Sequence, residues 1–298
     1  MILSSPTFSI IIPTYNRAKL IGKTVESVLC QRFTDFEILV IDDGSKDNTE
    51  EVITQFSDHR IQYFKKENAE RGAARNYGRA RAIGKYVNFF DSDDLMYQTH
   101  LYVAKELIEL KNSPEVFHLG YDFQSVDGEV NRKVDRLGGD IQEKAFFDNF
   151  LSCNGMFVRR DIAEKFPFEE NRILASAEDW ELWIRLMSRY KLHHSNEITT
   201  SVVGHDQRSL RTIATNKIID RDLFLVNNLM KDIQVQQVYG RKFSQFVAER
   251  YTFFMLCLAE DNRRLEVISW AIKSVKIYPL ILTSRRFLAS LKKIALKW

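Results

Sequence analysis

The chain has 298 residues, 45% hydrophobic and 28% charged, with a formal net charge of +3, so it is an ordinary globular protein with no general affinity for nucleic acid. Cys30, Cys153 and Cys257 are far apart and odd in number, which excludes a disulfide framework or zinc spacing and points to a reducing compartment. Met1–Pro6 lacks the charged start and apolar core of an export signal, and no apolar run approaches the ~20 residues of a spanning helix, so a cytoplasmic protein is expected.

Phe8–Ile12 predicts a strand stopped by Pro13-Thr14-Tyr15-Asn16. From Arg17 onward Ile21, Val25, Val28 and Leu29 recur at helical spacing. Phe36–Ile41 is a second strand and ends in Asp42-Asp43-Gly44-Ser45, after which Asp47 or Asn48 can cap a helix through Phe56. Ile61–Phe64 is a third, shorter strand. Gly72–Ala82 is a helix rich in Ala and Arg, closed by Gly84. Tyr86–Phe90 is again β-prone and runs into Asp91, Asp93 and Asp94.

Strands alternating with helices predict βαβ units and a mostly parallel sheet, in which ligands bind beyond the carboxyl ends of the strands. The polar clusters after Ile12, Ile41 and Phe90 all fall on that rim. Carboxylates crowded at a strand end repel one another unless a cation sits among them, and a hard divalent ion with oxygen ligands is the natural occupant. The competing reading is an acidic turn that caps the next helix. No G-x-G-x-x-G follows the first strand and no G-x-x-x-x-G-K-[ST] occurs, so neither dinucleotide nor P-loop chemistry is expected. The first turn offers Tyr15 instead, an aromatic that can stack on a nucleobase or stand as a surface side chain. Asp43 can accept the N3–H of uracil; guanine N1–H would also pair.

Tyr97–Lys111 is an amphipathic helix ending before Ser113-Pro114. Glu115–Leu119 and Tyr121–Phe123 read as strand, with a hairpin signal at Asp127-Gly128. Residues 131–175 read as irregular apart from a strand at Gly155–Val158, and are the expected place for acceptor recognition. Ser176–Leu186 starts another helix, with Trp180, Trp183, Ile184 and Met187 inward and Glu178 and Asp179 at its positive end. Asp179 suits either helix capping or a general base. His193-His194 reads as surface.

These pieces resemble the family 2 glycosyltransferases of GT-A fold, over roughly residues 8–209. The matching stretches are Ser9–Arg17, Val40–Ser45, Ala74-Arg75-Asn76, Gly84-Lys85-Tyr86, Asp91–Asp94, and Glu178-Asp179 with Trp180 and Leu182-Trp183. One departure is Glu70, where many members carry glycine two residues after the asparagine matching Asn68. The resemblance implies a Rossmann-like α/β fold and an inverting transferase that uses a nucleoside-diphosphate sugar, most often UDP-linked. Pro13, Tyr15 and Asp43 would hold the uridine with Asp42 nearby, and Arg75 would add charge near the diphosphate, its alternative being a solvated helix arginine. Asp91 and Asp93 match the D-x-D motif, Asp93 as ligand of Mg²⁺ or Mn²⁺ and Asp91 supporting ribose or metal. His205, in Val203–Ser209, matches a histidine that some members place near the diphosphate or metal. Asp179 matches the catalytic base, with Glu178 orienting base or acceptor. The acceptor would be a saccharide or lipid-linked hydroxyl, in bacterial surface polysaccharide assembly. A non-catalytic sugar-nucleotide binder of the same fold is the alternative.

The expected layout is a catalytic domain over 1–210, with a nucleotide-sugar half (1–100) and an acceptor half (101–210), and a helical extension over 211–298. From Val267 to Trp298 there is no acid, while Lys273, Lys276, Arg285, Arg286, Lys292, Lys293 and Lys297 are cationic among apolar residues such as Trp270, Ile272, Leu280 and Leu288. Pro279 should break this stretch into two helices. Such a pattern suits the anionic inner face of the plasma membrane, or packing on the catalytic domain with the lysines in water.

Overall fold

The computed structural model describes residues 5–133, 138–205 and 213–295. The first elements are β1 (Phe8–Thr14), α1 (Ile21–Leu29), β2 (Phe36–Asp42), α2 (Thr49–Thr54), β3 (Ile61–Lys65), α3 (Glu70–Arg79) and β4 (Tyr86–Phe89). β1 lies between β2 and β4, parallel to both, and β3 extends the ladder beyond β2. β1 continues through Pro13, two residues past the expected stop. Ile11 O accepts from Phe90 N while Thr14 O accepts from Asp43 N, so odd residues of β1 bond toward β4. The β4 pairing ends at Ile11, and the missing N–H of Pro13 therefore faces no partner strand.

Beyond β4 the parallel pairing gives way to a mixed one. β5 (Leu95–Met96), α4 (His100–Leu110), β6 (Val116–Ser125), β7 (Val130–Lys133), α5 (Ile141–Phe147), β8 (Met156–Arg159), α6 (Arg160–Lys165), α7 (Glu178–Met187) and β9 (Leu192–Gly204) complete the order β3-β2-β1-β4-β8-β6-β9-β5, with β7 beside β6. β8 runs antiparallel to both β4 and β6, and β9 runs parallel to β6, so the sheet is parallel in its first half and mixed in its second. The two strand pieces expected around Gly120 are one strand. Its register against β9 shifts at Gly120, where a Cβ would lie 2.8 Å from Glu197 O. The stretch read as irregular holds the expected strand as β8 and, besides it, β7, α5 and α6. His193 and His194 lie in β9, and the His194 ring stacks on buried His118 at 5.4 Å instead of standing clear on the surface.

The apolar core is built on the face of the sheet that carries Phe8, Ile10, Ile12, Ile38, Val40 and Tyr86, covered by Ile21, Val25 and Val28 of α1 and Leu101, Ala104 and Leu107 of α4. α3 covers the other face so closely that a Cβ on Gly78 would meet Ile11 Cγ2 at 2.5 Å.

The described residues divide into two compact units, 1–142 with 149–208, and 143–148 with 209–298. Residues 143–148 join the second unit, where Phe146 stacks on Tyr239 at 4.3 Å. This unit is helical: α8 (Thr215–Lys231), α9 (Ile233–Glu260), α10 (Arg264–Ile277), a 3-10 turn at Pro279–Thr283 and α11 (Arg285–Ala295). Phe254, Met255 and Leu258 of α9 bury Val267 and Ala271 of α10, Ile281 and Phe287. Pro279 separates the last two helices as expected; Lys297 and Trp298 lie outside the described residues. Among the described residues no helix is long and apolar enough to cross a membrane.

Candidate active site

The loops after β1 and β2 are laced together first. Asn16 takes a left-handed φ of 52°. Its N–H donates to Ser45 Oγ (2.9 Å), and its Oδ1 accepts from Lys46 N (2.8 Å). Tyr15 is left 42% exposed beside this knot, free to offer a ring face, whereas Pro13 is buried within β1. Asp42 is wholly buried and accepts from the Tyr63 hydroxyl (2.6 Å) and Ser45 N (2.7 Å), which makes it a support for the rim. Asp43 accepts from Lys66 Nζ (2.6 Å) and Ala69 N (3.0 Å), so an incoming base N–H would share it with those donors.

The loop that follows keeps a glycine-like backbone without glycine. Glu70 has φ 73°, the left-handed value that costs a side-chain-bearing residue about 1–2 kcal/mol. Its carboxylate lies 3.6 Å from Arg172, whose Nη2 donates to Asn68 O (2.8 Å), so the loop is tied to the segment leading into α7.

At the end of β4 the crowded acids take separate partners. Asp94 is buried and accepts from Asn154 Nδ2 (2.7 Å) and Val203 N (2.9 Å). Asp91 accepts from Arg75 Nη2 (2.8 Å), and its N–H donates to Asn154 Oδ1 (2.8 Å). Asp93 faces His205 Nε2 at 3.0 Å and Arg17 Nη2 at 3.4 Å. Arg75 is neither solvated nor open to a ligand. It is buried on α3, and its Nη1 donates to Glu178 Oε1 (2.7 Å) while its guanidinium lies 5.2 Å from the centre of the Phe168 ring.

Glu178 and Asp179 open α7, preceded by Ser176 at φ 73°. Glu178 is buried against Arg75, with Arg71 at 3.8 Å. This arrangement holds Glu178 away from solvent, next to Asp179. Asp179 Oδ1 accepts from Trp180 N (2.7 Å) and Asn149 Nδ2 (3.2 Å), and Oδ2 lies 3.9 Å from Cys153 Sγ. Part of the Asp179 side chain still meets solvent. Desolvation by the surrounding protein, then the charge of Glu178, nevertheless push its carboxyl up to about 6, against a smaller opposing pull from Arg75. Burial holds Cys153 as the thiol, well above its usual range.

Asp91, Arg75, Glu178 and Asp179 are thus joined by ion pairs and neighbouring charge, while Asp93 pairs with His205 and Arg17. Asn154, Arg17, Asn149 and Cys153 are unforeseen members of these two groups. Arg17 lies inside a motif the sequence singles out; nothing in the spacing of the others marks them. Asp93 and His205 offer oxygen and imidazole nitrogen at one spot, and His205 Nδ1 is buried without a hydrogen-bond partner. That donor set fits Mn²⁺ or Mg²⁺. Among the described residues no three acids, histidines or cysteines are gathered into a ready cation site.

Residues 9–165 match the family described as Glycosyl transferase family 2, and the chain belongs to it. An uncharacterised glycosyltransferase of Rickettsia conorii, RC0461, is 32% identical over 82% of this chain and 40% of its own length. A Rickettsia felis glycosyltransferase is 34% identical over 63% of the chain and 31% of its own. The chain thus spans well under half of these relatives. The Escherichia coli UDP-Glc:alpha-D-GlcNAc-diphosphoundecaprenol beta-1,3-glucosyltransferase WfgD is 30% identical over 60% of the chain and 69% of its own length. Among solved structures, Staphylococcus aureus TarS 1–349 with UDP-GlcNAc superposes with TM-score 0.70 at 16% identity, covering 97% of this chain and 88% of that one. The Pyrobaculum calidifontis mannosyltransferase PcManGT with GDP-Man and Mn²⁺ gives 0.63 at 16%, covering 99% and 87%. The fold is GT-A, with helices following the catalytic sheet.

Proposed function

We propose that this chain is an inverting glycosyltransferase that moves a sugar from a nucleoside-diphosphate donor, UDP-linked by first choice, to a hydroxyl of a saccharide or lipid-linked acceptor. Asp179 is the general base. The observation that carries the reading is the state of Asp179: anchored at the start of α7 through one oxygen and pushed up to about 6, it is ionised at neutral pH yet a stronger base than an ordinary carboxylate. It takes the acceptor proton as the acceptor oxygen attacks the anomeric carbon, and the bond to the diphosphate breaks on the opposite face.

Asp93 and His205 would hold Mg²⁺ or Mn²⁺, with Asp91 beside them, and diphosphate oxygens would complete the shell. When bound, the ion neutralises charge on the leaving diphosphate. Tyr15 stacks on the base, and Asp43 accepts its ring N–H. PcManGT with GDP-Man and Mn²⁺, TarS with UDP-GlcNAc and WfgD with a lipid-linked acceptor support these choices by similarity.

The chain is taken to act in the cytoplasm, with its second unit at an anionic membrane. Leu265, Ile268 and Ile272 are exposed along one face of α10, and Leu280, Leu282 and Leu288 are exposed after it. Lys273, Lys276, Arg285 and Lys292 are also exposed. Other side chains of this stretch pack on the second unit. Trp270 lies 4.8 Å from Tyr251, and Lys293 pairs with Glu260 at 2.9 Å.

A panel of nucleotide sugars with Mg²⁺ or Mn²⁺, scored for hydrolysis and for protection against heat, tests the donor without knowledge of the acceptor. One sugar nucleotide should stand out and need the metal. If none binds or is turned over, the transferase reading fails.

A further inference from the structure

A guanidinium buried on a helix between two acids is costly to keep unless its charge has work to do there. Arg75 joins parts that are remote in sequence: Nη2 reaches Asp91 at the end of β4, and Nη1 reaches Glu178 at the start of α7. Both contacts are short and charge-assisted. The same helix is locked to the segment before α7, because Asn76 Nδ2 donates to Phe168 O and Asn76 Oδ1 accepts from Phe168 N, both at 2.9 Å. Gly72 lets the chain pass close by, since a Cβ there would lie 2.6 Å from Glu169 O. Arg75 therefore cannot drift toward one acid without loosening the other.

One buried cation serves Asp91, Glu178 and, through its field, Asp179. Glu178 Oε2 is buried without a hydrogen-bond partner, which leaves Arg75 as the main compensation for that carboxylate. The groups around Asp179 are Glu178 on its own helix, Arg75 from α3, Asp91 after β4, the neutral Cys153 thiol and the Asn149 amide, with Arg71 bordering Glu178.

We propose that Arg75 is a positioning residue that couples the donor end of the site to its base, so that engagement of Asp91 by a diphosphate and its cation leaves Arg75 to hold Glu178 and ready Asp179 for the proton. The proposal rests on the transferase reading for the names of donor and base. Its core, the tie between Arg75 and Asp179, is measurable with no substrate present.

Melting temperatures of the full chain and of Asp179→Asn, taken across pH, diverge where Asp179 ionises. The same pair is then compared in Glu178→Gln and Arg75→Met backgrounds. Removing the like charge in Glu178→Gln should move that divergence down by about one pH unit, and removing the opposite charge in Arg75→Met should move it up, by less than that. A merely structural arginine would lower every melting temperature and leave the divergence where it was. If Arg75→Met does not fold, Glu178→Gln decides: an unmoved or raised divergence overturns the proposal. Adding UDP with Mg²⁺ should lower the divergence in the parent background and leave it unmoved in Arg75→Met; binding without that shift would overturn the coupling. Absence of UDP binding would count against the donor reading, and the ligand-free comparison would still decide on Arg75.

Discussion

Replacing Asp179 by Asn should make the protein less active and more stable. The carboxyl is raised from 3.8 to about 6 in the fold. A folded-state value above the unfolded one means that the fold prefers the protonated form. That preference favours folding below the unfolded value and is lost as pH rises from about 4 through about 6. A shift of that size corresponds to ~3 kcal/mol at 1.36 kcal/mol per unit. Partial exposure of Asp179, and loss of a favourable charge at the helix start worth about 0.3–1 kcal/mol, reduce the expected gain to about 1–2 kcal/mol. In a unit of this size that is roughly 2–8 °C in melting temperature. Asn can still accept from Trp180 N, so the helix start survives. Thermal unfolding of both proteins from pH 4 to 8 should show the variant gaining several degrees at pH 7.5 and nothing at pH 4. Transfer should fall by about 10²–10⁴-fold, and wild-type turnover should decline as pH drops through about 6. A variant less stable at every pH and still active would refute the argument and return Asp179 to helix capping.

Calorimetry of UDP binding should show affinity that depends on Mg²⁺ or Mn²⁺ and is lost with chelator and in Asp93→Ala; unchanged affinity in both would remove the metal from Asp93. Glu70→Gly should leave urea stability within about 1 kcal/mol of the parent, because backbone relief is offset by the entropy of glycine and by the exposed pair with Arg172, whereas Glu70→Val should lose more than that. Equal effects of the two would mean that the φ of 73° at residue 70 carries no strain. The full chain should sediment with anionic vesicles and release in salt, and Leu265→Ser with Ile268→Ser and Ile272→Ser should weaken this. Truncation before α10 would strip Val267 and Phe287 from the core of α9 and expose it, so surface substitution is the cleaner test.

β1, β2 and β4 were legible because each is a short buried run ending in polar residues, and the rim they share marked the candidate site. The second half was less so. A two-residue strand such as β5 has no periodicity to read, and β6 looked divided because Gly120 interrupts its pattern at a register shift. In residues 143–148 only Ala145, Phe146 and Phe147 are apolar, and the sequence does not say that Phe146 seeks Tyr239 of the second unit. Asp93 and Asp179 stood out as acids at element ends. Arg75 stood out as part of a motif, but its burial did not, because its partners lie 16 and 103 residues away, and a charged side chain on a helix gives no hint of burial.

The crowding of carboxylates at the strand ends first suggested that a bound cation must relieve their repulsion. The fold relieves it with its own groups. Asp42 and Asp94 are met by hydroxyl, amide and backbone donors, Asp43 by Lys66, Asp91 by Arg75, and Asp93 by Arg17 and His205. The acids are thus in place before any ligand arrives, and under the proposed function the demand for a divalent ion would come from the diphosphate. On this account metal alone should bind weakly, and metal and nucleotide should bind together, each strengthening the other by the same factor.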